Sequence, residues 1–141
     1  MTGGAGNDVF RFGAAGADST NVGTNSAAGT ASGNDVITDM VSGVDKIAAT
    51  GNPISNFSNI GSVTGTSLNQ AAAAAEAILT QKYGAGTNGA TFTYQGSTDT
   101  YALVATNVGG VAGTAGSGTT TTDLLVDIKT TTALAKGDFI A

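Results

Sequence analysis

Cysteine and histidine are both absent from the 141 residues of this chain. Without cysteine, the chain can form no disulfide, no thiolate zinc site and no cysteine nucleophile. Without histidine, it lacks the commonest general base and the usual side-chain ligand of transition metals. A Ser-His-Asp triad and the helical zinc-protease motif are therefore excluded within this chain, and we predict that it is not an enzyme.

Charged residues and long apolar runs are also scarce. Charged residues make up 11% of the chain, and ten acidic residues outnumber five basic ones, so the formal net charge is -5 and the pI is about 4.1. This negative charge argues against nucleic acid and anionic membrane as partners. No apolar run approaches the roughly 20 residues of a membrane helix, so we predict no transmembrane segment. Met1 and Thr2 lead directly into glycines, and no signal peptide is expected.

Small residues fill the chain instead, and they favour β structure. Glycine occurs 22 times and proline once, and much of the remainder is Thr, Ala, Ser and Asn. This composition favours strands and tight turns. Hydrophobic residues make up 40%, which argues against disorder and suffices for a modest core in one domain or two very small ones. Residues 1–49 hold most of the aspartates, and residues 50–66 are predicted to be a connector with one short strand.

Residues 67–83 are predicted to form the one helix. Ser67 and Gln70 have the spacing of a capping box, and Gly84 stands where a C-terminal cap is expected. Packing of an apolar stripe on a sheet is the favoured interpretation, and binding of a partner by this face is the alternative. The stripe consists of Leu68, Ala72, Ala75, Leu79 and Tyr83, with Ile78 beside them.

Residues 90–141 are predicted to be antiparallel β structure. Phe92 and Tyr94 alternate in one strand and Tyr101 and Leu103 in the next, with residues 96–99 as the hairpin turn. A third strand at residues 123–129 alternates apolar residues on one face and would stabilise the hairpin. The chain then ends in a short turn and two apolar residues.

The stretch GGAGNDVFR, residues 3–11, combines a flexible turn with one carboxylate. Glycines allow the backbone to turn its carbonyl oxygens toward one point, and Asp8 adds a carboxylate. Oxygen ligands in a flexible arrangement suit calcium, whereas magnesium requires a tighter octahedron. Phe10 and Phe12 follow on one face of a short strand and would bind the turn to the core. The alternative is an ordinary glycine-rich turn that ends in aspartate.

Two segments resemble a known family. Residues 3–10 match the nonapeptide G-G-x-G-x-D-x-U-x. Residues 33–37 repeat its second half and run into a segment similar to D-x-I-x-D-F-x-x-G-x-D-K-I, with Met40 in place of Phe. The chain thus resembles the C-terminal RTX β-roll and secretion domain of type I secreted bacterial proteins, as in serralysin-type proteases. The residues that match the second segment are Asp35, Ile37, Asp39, Gly43, Asp45, Lys46 and Ile47.

The resemblance implies Ca²⁺ as the cofactor, held between successive turns of a β-roll. One half-site would form around Asp8 and another around Asp35, with Asp39 and Asp18 completing them. Asp45, next to Lys46, is interpreted as half of a solvated ion pair worth under about 1 kcal/mol. The insert at residues 14–32 departs from nonapeptide spacing and leaves the number of ions open. The predicted ligands are the carboxylates of Asp8, Asp35, Asp39 and Asp18 and the backbone carbonyls of Gly3, Ala5 and Gly33.

The resemblance also implies a fold and an export route. The expected fold is mainly β: short calcium β-roll or β-helix turns over residues 1–49, a connector over 50–66, and a small antiparallel sheet with one amphipathic helix packed on it over 67–141. Asp138, Phe139, Ile140 and Ala141 would be the uncleaved secretion signal, read by a type I export machine. The protein would be secreted, or reach the cell surface of a Gram-negative bacterium, and fold there on binding calcium.

Three kinds of parent protein are compatible with these features. The composition resembles surface-layer and adhesin subunits, in which calcium mediates lattice contacts and copies of the chain self-associate. The alternative is the C-terminal export and folding domain of a secreted metalloprotease or lipase. A module that binds ice or glycan through outward threonines is a weaker third, because the threonine runs at residues 119–122 and 130–132 are short.

Overall fold

The computed structural model of the protein describes residues 1–12, 35–49, 53–84, 86–95, 97–105, 124–130 and 132–141. Among these residues, eight strands form two sheets, and there is one α-helix. Helix α1 (Leu68–Tyr83) lies between the fourth and fifth strands, and a 3₁₀ turn (Lys136–Asp138) precedes the last one. The strands are β1 (Val9–Phe12), β2 (Val36–Met40), β3 (Lys46–Ala49), β4 (Asn56–Val63), β5 (Asn88–Tyr94), β6 (Ser97–Ala105), β7 (Leu124–Thr130) and β8 (Phe139–Ile140).

The two sheets differ in strand direction. The small sheet has the order β1-β3-β8, and both of its pairings are parallel. The large sheet has the order β2-β7-β6-β5-β4 and is antiparallel only across β5, β6 and β7. Its outer pairings, β2 with β7 and β4 with β5, are parallel. The mainly β fold with a helix is confirmed, and the antiparallel pairing predicted for residues 90–141 holds across β5, β6 and β7, whereas β8 pairs parallel with β3 in the small sheet. Strands β2 and β4, from residues 1–66, extend the large sheet by parallel pairing, and α1 is the crossover that lets β5 run parallel to β4.

Three strand–turn–strand units stack on one another. In the first unit, residues 1–2 run beside β2, since the Thr38 N–H donates to the Met1 carbonyl at 3.0 Å, and a turn then leads to β1. The second unit joins β2 to β3, and the third joins β7 to β8. Parallel pairing aligns the units in both sheets. We call residues 3–8 the first turn, residues 41–45 the second turn and residues 132–138 the third turn.

Both faces of the large sheet are covered, so the protein has two cores. The first core lies between the two sheets and includes Phe12, Ile37 and Ile47. The second core lies between the large sheet and α1 and includes Leu79, Phe92 and Leu103. β7 contributes to both cores because its apolar residues alternate between the faces.

Helix α1 forms as the sequence predicts. The Gln70 N–H donates to the Ser67 hydroxyl at 3.3 Å, and Gly84 caps the C-terminal end with φ +75°. The Gln70 side chain accepts from the Thr66 N–H at 3.0 Å, one residue before the predicted partner. The apolar stripe packs on the large sheet as expected. Ile78 is an exception at 38% exposed, because it lies at the edge of the stripe.

The hairpin of β5 and β6 is confirmed, with Phe92 paired to Tyr101. β6 already begins at Ser97, so the predicted turn at residues 96–99 is too long. The predicted connector contains an eight-residue strand, β4, which is longer than expected. The division of the chain into segments 1–49, 50–66 and 67–141 stays a prediction. Both sheets pair strands of the first segment with strands of the last one. Over the described part of the chain, no helix has the length and apolarity needed to cross a membrane.

Candidate metal centre at the stacked turns

The first turn folds back so that the Asp8 side chain lies on Gly3. A Cβ atom placed on Gly3 would lie 2.6 Å from Asp8 Oδ2 and 2.7 Å from Asp8 Cγ, so no larger residue fits without a shift. Gly4 and Gly6 take φ values of +93° and +131°, which other residues rarely adopt. The glycines therefore allow the turn to close tightly around one carboxylate.

One oxygen of that carboxylate receives no hydrogen bond from the described part of the chain. Asp8 Oδ2 is buried, and none of the described residues donates to it. Both backbone polar groups of Asp8, in contrast, form hydrogen bonds. The carbonyl accepts from the Lys46 N–H at 2.8 Å, and the N–H donates to Asp45 Oδ1 at 3.1 Å. A buried carboxylate oxygen without a donor is costly unless a proton or cation occupies it. Asp8 Oδ2 is therefore the best candidate ligand in the described structure.

The Asp39 carboxylate also contacts Gly3, through the backbone. Its Oδ1 accepts from the Gly3 N–H at 3.0 Å and its Oδ2 from the Gly4 N–H at 2.8 Å. These hydrogen bonds, from Gly4 above all and then Gly3, lower the pKa of the Asp39 carboxyl. Asp39 thus joins β2 to the first turn, and Gly3 is the residue that Asp8 and Asp39 both contact.

Asp45 is a buried structural residue, so its interpretation as a solvated ion pair is wrong. It is 3% exposed. Its two carboxylate oxygens accept from the Asp8 N–H at 3.1 Å and from the Val41 N–H at 2.8 Å. Lys46 instead pairs with Asp138 at 3.5 Å. Asp45 lies in the second turn and Lys46 begins β3, and their side chains reach different partners.

The other predicted ligands are spread over different places. Asp35 precedes β2 at the edge of the large sheet, where its carbonyl accepts from the Asp127 N–H at 3.0 Å. Ala5 is exposed in the first turn. Asp18 and Gly33 lie outside the described residues. Within the described ranges, no three acidic side chains gather into a metal-binding group. The structure thus brings Asp8 and Asp39 together at Gly3.

Asp138, predicted as part of the secretion signal, is a buried residue that connects two turns. Its Oδ2 accepts from the Ser42 hydroxyl at 2.7 Å and from the Ala135 N–H at 2.8 Å, and its Oδ1 accepts from the Gly43 N–H at 2.8 Å. Burial raises the pKa of this carboxyl, but these hydrogen bonds and Lys46 outweigh burial, so the pKa is lowered. The aspartate of the final DFIA does not by itself indicate this role, because its donors Ser42 and Gly43 lie about 95 positions earlier in the chain.

A second acidic group lies on the large sheet, far along the chain from the first turn. Lys129 pairs with Asp99, and with Asp127 Oδ2 at 3.2 Å. Asp127 is 9% exposed, and its Oδ1 has no donor among the described residues. Burial raises the pKa of Asp127, and the hydrogen bond from Lys129 only partly offsets it. Because Lys129 already occupies this group and offsets one of its two negative charges, the group is a poorer cation site than the first turn.

No family model, no curated protein and no solved structure matches this chain. The geometry of the turns and the chemistry of their side chains therefore carry the functional argument.

Proposed function

We propose that this chain is a non-catalytic, calcium-binding C-terminal domain of a bacterial protein exported by a type I machine. Its stacked units would form a short β-roll, and calcium would bind at the first turn. The parent protein would be a structural protein of the surface-layer or adhesin type. The observation that carries the proposal is the buried Oδ2 of Asp8, which lies inside a glycine-rich turn and accepts no hydrogen bond from the described residues.

The donor set favours calcium over other metals. Asp8 offers a carboxylate oxygen, and the turn around it offers backbone carbonyls, which are hard oxygen ligands. Transition metals would prefer the imidazole or thiolate ligands that this chain lacks. Calcium takes about six to eight oxygens, so Asp8 alone is part of a site. Backbone carbonyls, water and neighbouring segments would supply the rest.

Asp39 and Asp45 would prepare the site rather than bind the ion. Both oxygens of each carboxylate already accept N–H groups from the turns. Asp39 holds Gly3 and Gly4 in place, and Asp45 holds the backbone of Asp8. The turn is thereby shaped before calcium arrives, and the ion would compensate Asp8 Oδ2, to which no described residue donates.

Calcium binding would couple folding to location. A ligand that binds only the folded state stabilises it by about 2.7 kcal/mol at a hundredfold excess over its Kd. The chain would be less stable in a cytoplasm with little calcium and more stable outside the cell. Such a difference suits a protein that crosses an export channel unfolded, and it would replace the disulfides that this cysteine-free chain cannot form.

Isothermal titration calorimetry of calcium into the 141-residue chain tests this proposal. The titration should show a saturable heat of calcium binding, and Asp8→Asn should weaken that binding by about tenfold or more. Asp99→Asn is the matched control, because it removes one negative charge from a surface ion pair on the large sheet. Calcium binding that is absent, or equal in the chain and in Asp8→Asn, would reject the site.

A further inference from the structure

The C-terminal segment, residues 132–141, is attached to the second turn by a single carboxylate. Asp138 accepts hydrogen bonds from Ser42, Gly43 and Ala135 at 2.7–2.8 Å, and Lys46 lies 3.5 Å from it. Two of these donors and Lys46 come from the second unit, about 95 positions away in sequence. Asp138 is 1% exposed, so the folded protein hides it almost completely.

Phe139 and Lys136, on either side of Asp138, also contact other parts of the fold. Phe139 is 7% exposed, pairs with Ile47 in the small sheet, and lies with its ring 5.2 Å from that of Phe57. Lys136 Nζ donates to the Ser55 carbonyl at 2.6 Å, which holds the start of the 3₁₀ turn. No partner can bind the Asp138 carboxylate or the Phe139 ring while these contacts exist.

We propose that the Asp138 contacts make folding of the third turn and recognition of the C-terminal segment mutually exclusive. This inference rests on the proposed export role of residues 138–141. In the folded chain, the carboxylate accepts from Ser42 and Gly43 of the second turn and from Ala135 of its own segment. Only when these donors are absent do Asp138 and the two apolar residues after it become an acidic, extended peptide that an exporter can bind. Folding thereby withdraws the chain from export.

Variants of the second turn separate the two roles of Asp138. Ser42→Ala removes one donor to Asp138. Gly43→Ala strains the backbone, because Gly43 has φ +84°, although no atom would obstruct the new methyl group. Neither change alters any residue of the C-terminal segment, whereas Asp138→Asn alters both the contact and the segment. Ser62→Ala, on the exposed side of β4, is the control.

Hydrogen exchange on the full chain measures the contact. The amides of Phe139 and Ile140 should exchange about tenfold faster or more in Ser42→Ala, Gly43→Ala and Asp138→Asn than in the unaltered chain. Ser62→Ala should leave them unchanged. Unaltered exchange in the two turn variants would overturn the inference that the second turn holds the C-terminal segment.

Secretion from a Gram-negative host with a type I exporter measures recognition. Ser42→Ala and Gly43→Ala should raise the secreted amount, because they free an intact C-terminal segment, and Asp138→Asn should lower it. Secretion of the turn variants no higher than that of the unaltered chain would overturn mutual exclusion. If deletion of residues 138–141 leaves secretion undiminished, the export role itself fails, and exchange still decides whether the contact exists.

Discussion

Gly3 is the residue at which the proposed site is most sensitive to one methyl group. We predict that Gly3→Ala weakens calcium binding by about tenfold or more, because the new Cβ would lie within 2.6–2.8 Å of the Asp8 side chain and displace it. Gly137→Ala is the matched control, since nothing lies within 4 Å of the added Cβ there. Calorimetry at a temperature where both variants remain folded measures the difference. Equal affinities would place the ion elsewhere.

Asp45 shows how a buried carboxylate can connect two turns without an ion. We predict that Asp45→Asn lowers the free energy of unfolding by about 1.5–3 kcal/mol. The NH₂ group of the asparagine would face one of the two backbone N–H groups from which Asp45 now accepts a hydrogen bond. Urea denaturation without calcium measures this loss. In contrast, Asp99→Asn should change the midpoint little, because exposed ion pairs contribute little. Similar midpoints for the two variants would refute a structural role for Asp45.

Asp127 is a largely buried carboxylate whose pKa burial raises. Because burial raises its folded-state pKa, its charged form destabilises the protein above that pKa, and this penalty disappears as the pH falls toward the unfolded value of about 3.9. We predict that Asp127→Asn raises the melting temperature at pH 7. The gain should shrink toward pH 4, because Asp127 in the unaltered chain becomes protonated there. The neighbouring Asp99, Lys129 and Tyr101 are the same in both proteins, so the difference reports on Asp127. A gain that is absent at pH 7, or constant with pH, would contradict this.

Helix α1 offers a comparison of two adjacent residues. Leu79 is 1% exposed in the second core, whereas Ile78 is 38% exposed. We predict that Leu79→Ala lowers the free energy of unfolding by about 2–5 kcal/mol and that Ile78→Ala costs well under half as much, because only the first leaves a cavity. Chemical denaturation measures both. Equal losses would mean that α1 is rotated on the large sheet.

Local patterns predict most of the elements. The cap at Ser67, the alternation in β5 and β6, and the apolar residues of β7 are all readable within a few residues, because propensity and periodicity act locally. β4 is harder to predict, since Asn, Ser and Gly interrupt its alternation and its pairing with β5 depends on α1 as a crossover. Its strand character comes from tertiary pairing rather than from its own residues.

The stacking of the three units depends on contacts between distant residues. The third unit meets the second through Asp138 and residues 42–43, and no local pattern indicates that partnership. The nonapeptide motif predicts a tight turn around Asp8, and the structure has it. The motif does not indicate that Asp39 and Asp45 accept backbone N–H groups, because their partners lie about 35–37 positions earlier in the chain.

A thermal melt followed by circular dichroism, in EGTA and then in millimolar calcium, tests calcium-dependent folding most directly. The unaltered chain should melt at a higher temperature in calcium, because the ion compensates Asp8 Oδ2, which has no donor among the described residues. Asp8→Asn should gain less from calcium than the unaltered chain, and in EGTA it should melt no lower than the unaltered chain. A melting temperature of the unaltered chain that calcium leaves unchanged would contradict the proposed function.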